Sequence, residues 1–268
     1  MSMDRRNWAD THNRKRTALI TGATTVLGYE LSRLFARDGF DLVLVDRDEA
    51  RLSFLASRLR ERYGIAVHAM PLDLTDPAAS ERLYDELQSR WVVVDVLVNN
   101  PWPAVHGLFS GADARDRDEL KMMQLGIVAP AGLMRLFLPG MRHRRWGRVL
   151  NVTFAPTPAP GMQTPIAGAS RAFMLSLCKA LCAELKGTGV TVTVLCPSPP
   201  VRLFRRRSRS ALDRLLLEAG AIARAGYRGL IKGKSVVAPG VFNRLTLATL
   251  RFVPSPVAGA LAKWLYGG

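Results

Sequence analysis

Apolar positions along this 268-residue chain fall into two alternating rhythms. Short runs at Thr17–Ile20, Leu42–Val45, Ala66–Ala69, Val94–Val98, Arg148–Val152 and Thr191–Leu195 are rich in Val and Leu at successive positions. Strands covered on both faces carry such runs, because neither side meets water. Between them, Leu27–Arg37, Glu49–Tyr63, Pro77–Arg90, Asp116–Arg142 and Ile166–Leu185 space their apolar residues as helices do. Strand–helix alternation predicts an α/β fold: a doubly wound parallel sheet with right-handed crossovers and helices on both faces. The reading is of one domain over 15–240, preceded by a flexible extension at 1–14 and containing a basic insertion at 200–235. Ser235–Pro239 predicts a last edge strand. Residues 241–268 predict an amphipathic C-terminal helical tail, broken at Pro254 and Pro256.

Composition adds little to the fold and something about partners. Hydrophobic residues make up 48% and charged ones 22%, as in an ordinary globular chain. No uninterrupted apolar run reaches the ~18 residues of a membrane-crossing helix. Met1–Arg16 is polar, without the apolar stretch of a signal peptide. Cys178, Cys182 and Cys196 lack a framework spacing and read as small buried apolar groups. The expected location is the cytoplasm, with a peripheral membrane position as the alternative. The net charge of +16 is uneven: residues 201–252 hold 12 Lys and Arg against 2 Asp and Glu. Arg142, Arg144, Arg145 and Arg148 form a second basic stretch. Such clustering predicts an acidic partner or an anionic membrane surface at 201–252, set against a merely solvated basic face. Aromatics are not interleaved with these arginines, so nucleic acid is not expected.

Two segments carry candidate chemistry. Thr21-Gly-Ala-Thr-Thr-Val-Leu-Gly28 follows the first strand and opens a helix, where N-terminal amides can face a pyrophosphate. Asp46-Arg47 ends the second strand, where an acid can accept bonds from ribose hydroxyls and repel a 2′-phosphate. His106 follows the fourth strand and, with Arg171, Gln163 and Thr153, could line an anion or carbonyl site. No metal-ligand cluster and no nucleophile elbow is visible.

These segments resemble the short-chain dehydrogenase/reductase family over about residues 15–240. The strings Tyr29–Val45, Arg135–Met141 and Glu184–Pro197 carry the likeness, with Asn151-Val-Thr-Phe154 and Ala167-Gly-Ala-Ser-Arg171 at the active-site segment. The resemblance implies a Rossmann fold and a dinucleotide held by Gly22, Thr24, Thr25, Gly28, Asp46, Asp73 and Asn99. Asp46 makes NAD the expected dinucleotide. Val26 in place of the middle glycine of TGxxxGxG, and Pro101-Trp102 in place of Ala-Gly after Asn99-Asn100, predict weak or absent binding. The family's catalytic Asn, Ser, Tyr and Lys correspond to Gly126, Phe154, Ala167 and Arg171. Its later Pro-Gly corresponds to Pro197-Ser198, and its nicotinamide-contacting Thr to Arg202. Ala and Gly cannot transfer a proton, and Arg cannot copy all of a lysine's roles.

Standard carbonyl reduction is therefore not expected. The first expectation is a pseudoenzyme serving as partner subunit, scaffold or ligand binder. It would form a homo- or hetero-oligomer with a family protein through the helices at 116–142 and 166–185. The alternatives are an NAD-dependent oxidoreductase with displaced catalytic groups, and a non-redox catalyst using the emptied pocket. A membrane-surface protein is a further alternative.

Overall fold

The computed structural model describes residues 14–101, 118–153, 165–197 and 209–239. Seven parallel strands form one sheet: β1 (Thr17–Thr21), β2 (Asp41–Asp46), β3 (Val67–Pro71), β4 (Val94–Asn99), β5 (Gly147–Val152), β6 (Val190–Leu195) and β7 (Val236–Val237). Their order is β3-β2-β1-β4-β5-β6-β7. Each of the six long apolar runs lies within one residue or two of an observed strand. The run at Ser235–Pro239 contributes the short β7, which pairs with β6 through Val194↔Val236 and Leu195↔Val237.

Three described helices cover each face. α1 (Val26–Arg37), α2 (Glu49–Tyr63) and α7 (Arg209–Ile231) lie on one side; α3 (Ala79–Ser89), α5 (Ala129–His143) and α6 (Pro165–Glu184) lie on the other. Period-2 alternation divides the strand side chains between them. Ala18 and Ile20 of β1 face the first layer with Leu31, Phe35 and Leu52, whereas Leu19 faces the second with Leu133, Met134 and Phe137. Both layers are apolar, which is why the strands read as continuous runs rather than alternating ones.

Two departures from the sequence pattern matter. The region read as a basic insertion at 200–235 contains α7, the crossover between β6 and β7. Its Ala223, Tyr227 and Leu230 pack in the core, and Tyr227 donates to Asp38 Oδ2 at 2.7 Å. The arginines that dominate the composition there mask this apolar face. The single long helix expected at 116–142 is instead α4 (Asp118–Met123), a π-turn (Gln124–Val128) and then α5. A π-turn inserts one residue into the helical ladder, shifting the side-chain phase on either side of it.

Two helical stretches, Glu119–His143 and Ile166–Glu184, are long and apolar enough to cross a membrane by length and composition, each with a mean hydropathy of 1.3. Their charges interrupt every continuous apolar run, and α5 carries Leu133, Met134 and Phe137 into the core.

One buried acid organises the sheet's N-terminal edge. The register between β1 and β4 slips at Asp95, pairing Thr17 with Val94 and Ala18 with Val96. The bulge turns the Asp95 carboxylate toward the backbone N–H of Thr17, which donates to Oδ2 at 3.0 Å. Arg14 donates to both carboxylate oxygens, at 2.9 and 2.7 Å. Asp95 is 3% exposed, and removing it strands the buried Thr17 N–H, whereas the exposed Arg14 can turn to water. Asp95→Ala is expected to destabilise the fold by about 2 kcal/mol, lowering Tm by roughly 5 °C. Asp95→Asn should lose less. A calorimetric melt of the three proteins checks both.

Candidate functional site

The strand order reverses between β1 and β4, and their C-terminal ends part there to leave a crevice. A hydrogen-bonded knot holds its floor. Asn100 N donates to Thr21 Oγ1 at 3.0 Å, and Thr21 Oγ1 donates to the Val98 carbonyl at 3.3 Å. The Asn100 side-chain amide donates to Gly22 O at 3.1 Å and to Thr25 Oγ1 at 2.9 Å. Thr25 is the N-cap of α1, and its hydroxyl accepts from Gly28 N at 3.0 Å. Gly22 sits at φ +60, and a Cβ there would run into the Asn100 carbonyl oxygen. A Cβ on Gly28 would strike the Gly22 carbonyl oxygen, so both glycines are required for the turn to close.

This turn borders a groove of about 510 Å³. Gly22, Thr24, Thr25, Asp46, Asp73 and Asn99 line it, six of the seven residues implied as cofactor-binding. Gly28 acts from behind, through the turn. Thr24 donates to Asp46 Oδ2 from its backbone N at 3.0 Å and from its hydroxyl at 2.6 Å. These bonds fix the acid at the rim, beside Arg47 and Arg51. Val26, expected to crowd the phosphate, is the first residue of α1 and is not among the groove's lining residues. Trp102, the other expected obstruction, lies outside the described residues, as do His106, Phe154, Gln163, Ser198 and Arg202.

Beyond Asn99 the groove adjoins a smaller cavity of about 40 Å³. The π-turn supplies Gly126, and one face of α6 supplies Ala167, Ser170, Arg171 and Met174, spaced as successive helical turns require. Asn151 and Thr153 enter from the end of β5. The structure thus brings together Gly126, Ala167 and Arg171, three of the four residues that the resemblance sets against catalytic positions. Burial lowers the Arg171 guanidinium to a pKa of about 10, still well above neutrality.

Several polar groups here make contacts that motif reading does not assign. Asn99 Nδ2 donates to Asn151 Oδ1 at 2.8 Å, and Asn151 Nδ2 donates to Cys178 Sγ at 3.1 Å and Met134 Sδ at 3.3 Å. Burial pushes the Cys178 and Cys196 thiols up to about 12. Ser170 Oγ, Asn99 Oδ1 and Asn100 Oδ1 are buried without a hydrogen-bond partner among the described residues. The α6 spacing already puts Ser170 beside Ala167 and Arg171; its inward face is the signal that could have found it. Among the described residues no group of three or more His, Cys, Asp and Glu side chains is placed to hold a metal ion.

The groove has the donors and the acid that a nicotinamide dinucleotide needs at its adenosine end. Residues 16–202 match the family model described as short chain dehydrogenase. A ketoacyl reductase from Nostoc sp. is 28% identical over 182 residues, 68% of this chain and 62% of that reductase. This chain therefore spans less than two thirds of that relative's length in the match. A bulky-bulky ketone specific alcohol dehydrogenase from Comamonas testosteroni superposes with a TM-score of 0.72 at 26% identity, covering 89% of this chain and 95% of that one. A short-chain dehydrogenase from Sphingobium yanoikuyae, solved in complex with NADPH, gives a TM-score of 0.70 at 28% identity over 88% and 92% of the two chains. Sequence match, strand order and groove agree, and the chain belongs to the short-chain dehydrogenase family, an oxidoreductase family with a Rossmann-type fold.

Proposed function

We propose that this chain keeps the dehydrogenase frame but does not perform standard carbonyl reduction, and that it serves as a partner subunit, scaffold or ligand binder. One observation carries the reading. The cavity at the family's catalytic position is lined, among the described residues, by no side chain that titrates near neutrality. Ala167 has no acidic proton, Gly126 has no side chain, and the Arg171 guanidinium stays charged. A positioned proton donor is worth ~10²–10⁴ in rate, and nothing in that lining supplies one.

The purified protein is expected to consume neither NADH nor NADPH with a panel of aldehydes and ketones. Restoring all four positions together (Gly126→Asn, Phe154→Ser, Ala167→Tyr, Arg171→Lys) should bring measurable turnover. Sustained turnover by the unaltered chain, surviving repurification, would sink the reading.

A second reading keeps redox chemistry, with displaced catalytic groups and a bound NAD. The open groove and the anchored Asp46 favour it. A dinucleotide would place its ribose hydroxyls at Asp46 and its pyrophosphate at the α1 amides; its nicotinamide is what supplies hydride chemistry. Calorimetric titration should find NADH bound at least about tenfold more tightly than NADPH, because the Asp46 carboxylate repels a 2′-phosphate. Asp46→Asn should narrow that ratio. Equal affinities in the unaltered protein would remove Asp46 as the selecting group.

The partner-subunit role draws on the apolar helices. On α6, Met174 and Cys178 turn into the core while Phe173 stays exposed; Leu120, Met123 and Val128 are exposed around the π-turn. An interface built on these helices would bury those side chains. Phe173→Glu is expected to shift the elution of the protein toward smaller species in size-exclusion chromatography without lowering its Tm. Unchanged elution of an oligomeric species would place the interface elsewhere.

A further inference from the structure

Helices in this protein end in two ways. α1, α2 and α7 close on Gly39 (φ +84), Gly64 (φ +61) and Gly233 (φ +65), glycines in the left-handed conformation that suits this position. α3 and α5 close instead on Trp91 (φ 57) and Arg145 (φ 53), the two described residues other than glycine with a positive φ. Both ends make the paired bonds of a left-handed helix terminus. Trp91 N donates to Gln88 O at 3.0 Å and Val92 N to Leu87 O at 2.9 Å. Arg145 N donates to Arg142 O at 3.0 Å and Trp146 N to Met141 O at 3.1 Å. A side chain is strained in this backbone region, most of all a bulky one. Trp91 is also 91% exposed, and Arg145 is exposed. Two positions where glycine would suit the backbone better thus hold an indole and a guanidinium in water. Backbone strain of this sort collects at functional places.

Topology brings the two to one surface. The strands are parallel, so the segments leading into β1, β4, β5 and β6 all lie at the same end of the sheet. The strand order sets these four side by side, about 15 Å across. Trp91 precedes Val94 by three residues, at most about 11 Å of chain. The Val94 carbonyl accepts from Arg144 at 2.9 Å. Residues 14–16, 90–95, 142–148 and 184–190 hold nine Lys and Arg against two acids, Asp95 and Glu184. Asp95 is buried. Helix dipoles favour cations at the ends of α3, α5 and α6, but they do not place the exposed Arg14 and Lys15 ahead of β1, nor an indole at 91.

A basic face with a protruding indole fits a bilayer that carries acidic headgroups. Phosphates meet the cations, and a Trp side chain takes the boundary between headgroups and acyl chains. Nucleic acid would call for aromatic rings open to stacking among the cations. Trp146, the other indole at this end, instead lies under the Arg16 and Arg148 guanidinium groups, at 3.9 and 4.9 Å.

We propose that the surface formed by the N-terminal ends of β1, β4, β5 and β6 docks on an anionic phospholipid bilayer, with Trp91 inserted at the interface and Arg145 among the headgroups. The groove opens at the opposite ends of the strands, so docking leaves it facing water. The proposal goes beyond the reading of the catalytic positions and does not depend on it. It also sets the docking surface apart from the basic segment at 201–252.

Co-sedimentation of the full chain with vesicles tests it, using phosphatidylcholine alone and phosphatidylcholine with about 30% phosphatidylglycerol. The protein should pellet with the acidic vesicles and not with the neutral ones. Raising salt from about 0.1 M to about 1 M should release it. Trp91→Gly should weaken binding about tenfold and Arg145→Gly about fivefold. Glycine suits both backbones, so neither change should lower Tm, and melts of each variant separate lost docking from lost folding. The combined variant Arg205→Gln, Arg206→Gln, Arg207→Gln should bind as the unaltered chain does. Five results overturn the proposal: no sedimentation with acidic vesicles at low salt, equal binding to neutral vesicles, full affinity in the combined Trp91→Gly, Arg145→Gly variant, loss of binding in the glutamine variant, or tighter binding of duplex DNA through the same two residues.

Discussion

The crevice of this protein depends on how the backbone leaving β1 is tied to the end of β4. Asn100 is the tie. Its backbone N–H reaches Thr21, and its side-chain amide reaches both Gly22 and Thr25. Thr25 in turn caps α1 through Gly28. These bonds fix where α1 begins, how closely the turn approaches the neighbouring strand, and how far the two strand ends stand apart. The anchored Asp46, the groove and the smaller cavity beyond Asn99 all take their positions from that junction. Gly22 and Gly28 are the two places where a side chain would break it.

The framework around the junction has the ordinary energetics of an α/β domain. Its central strands are covered on both faces, and its helices bring Leu, Phe and Met side chains to both layers. Little of this depends on what lines the smaller cavity. Ala167 and Gly126 line a cavity and belong to neither packed layer, so the residue types at these two positions bear little on the sheet and its helices. A fold of this kind can host different chemistries on one frame, because stability and chemistry reside in different residues.

Most of the architecture is legible in the chain. Strands such as Leu42–Val45 announce themselves because burial on both faces demands an unbroken apolar run, and the five helices read from periodicity carry stripes that match the layers they cover. α7 escapes that reading because its arginines dominate the composition, although Ala223, Tyr227 and Leu230 recur at helical spacing. The π-turn escapes too, since one extra residue in a helical ladder leaves little trace in a pattern of period 3.6. At the site, motif reading reached Gly22, Asp46 and Asn99, which line the groove, whereas Val26 opens α1 and is not among the lining residues. Ser170 and Asn151 fall inside the strings at the active-site segment, yet motif reading gives neither a role. Their importance lies in orientation and burial, which are properties of the packed molecule.

The pairing of Asn151 with sulfur has a consequence for the chemical durability of the protein. Reagents that find cysteines, whether alkylating electrophiles or peroxide, react with the thiolate. Cys178 and Cys196 hold their protons so firmly that almost none of either is ionised at cellular pH. Each is also fully enclosed, beneath α6 and at the end of β6. The second layer of the core thus places the Cys178 thiol against Asn151 without creating a target there. Oxidative stress that disables enzymes with ionised thiols would pass this interior by.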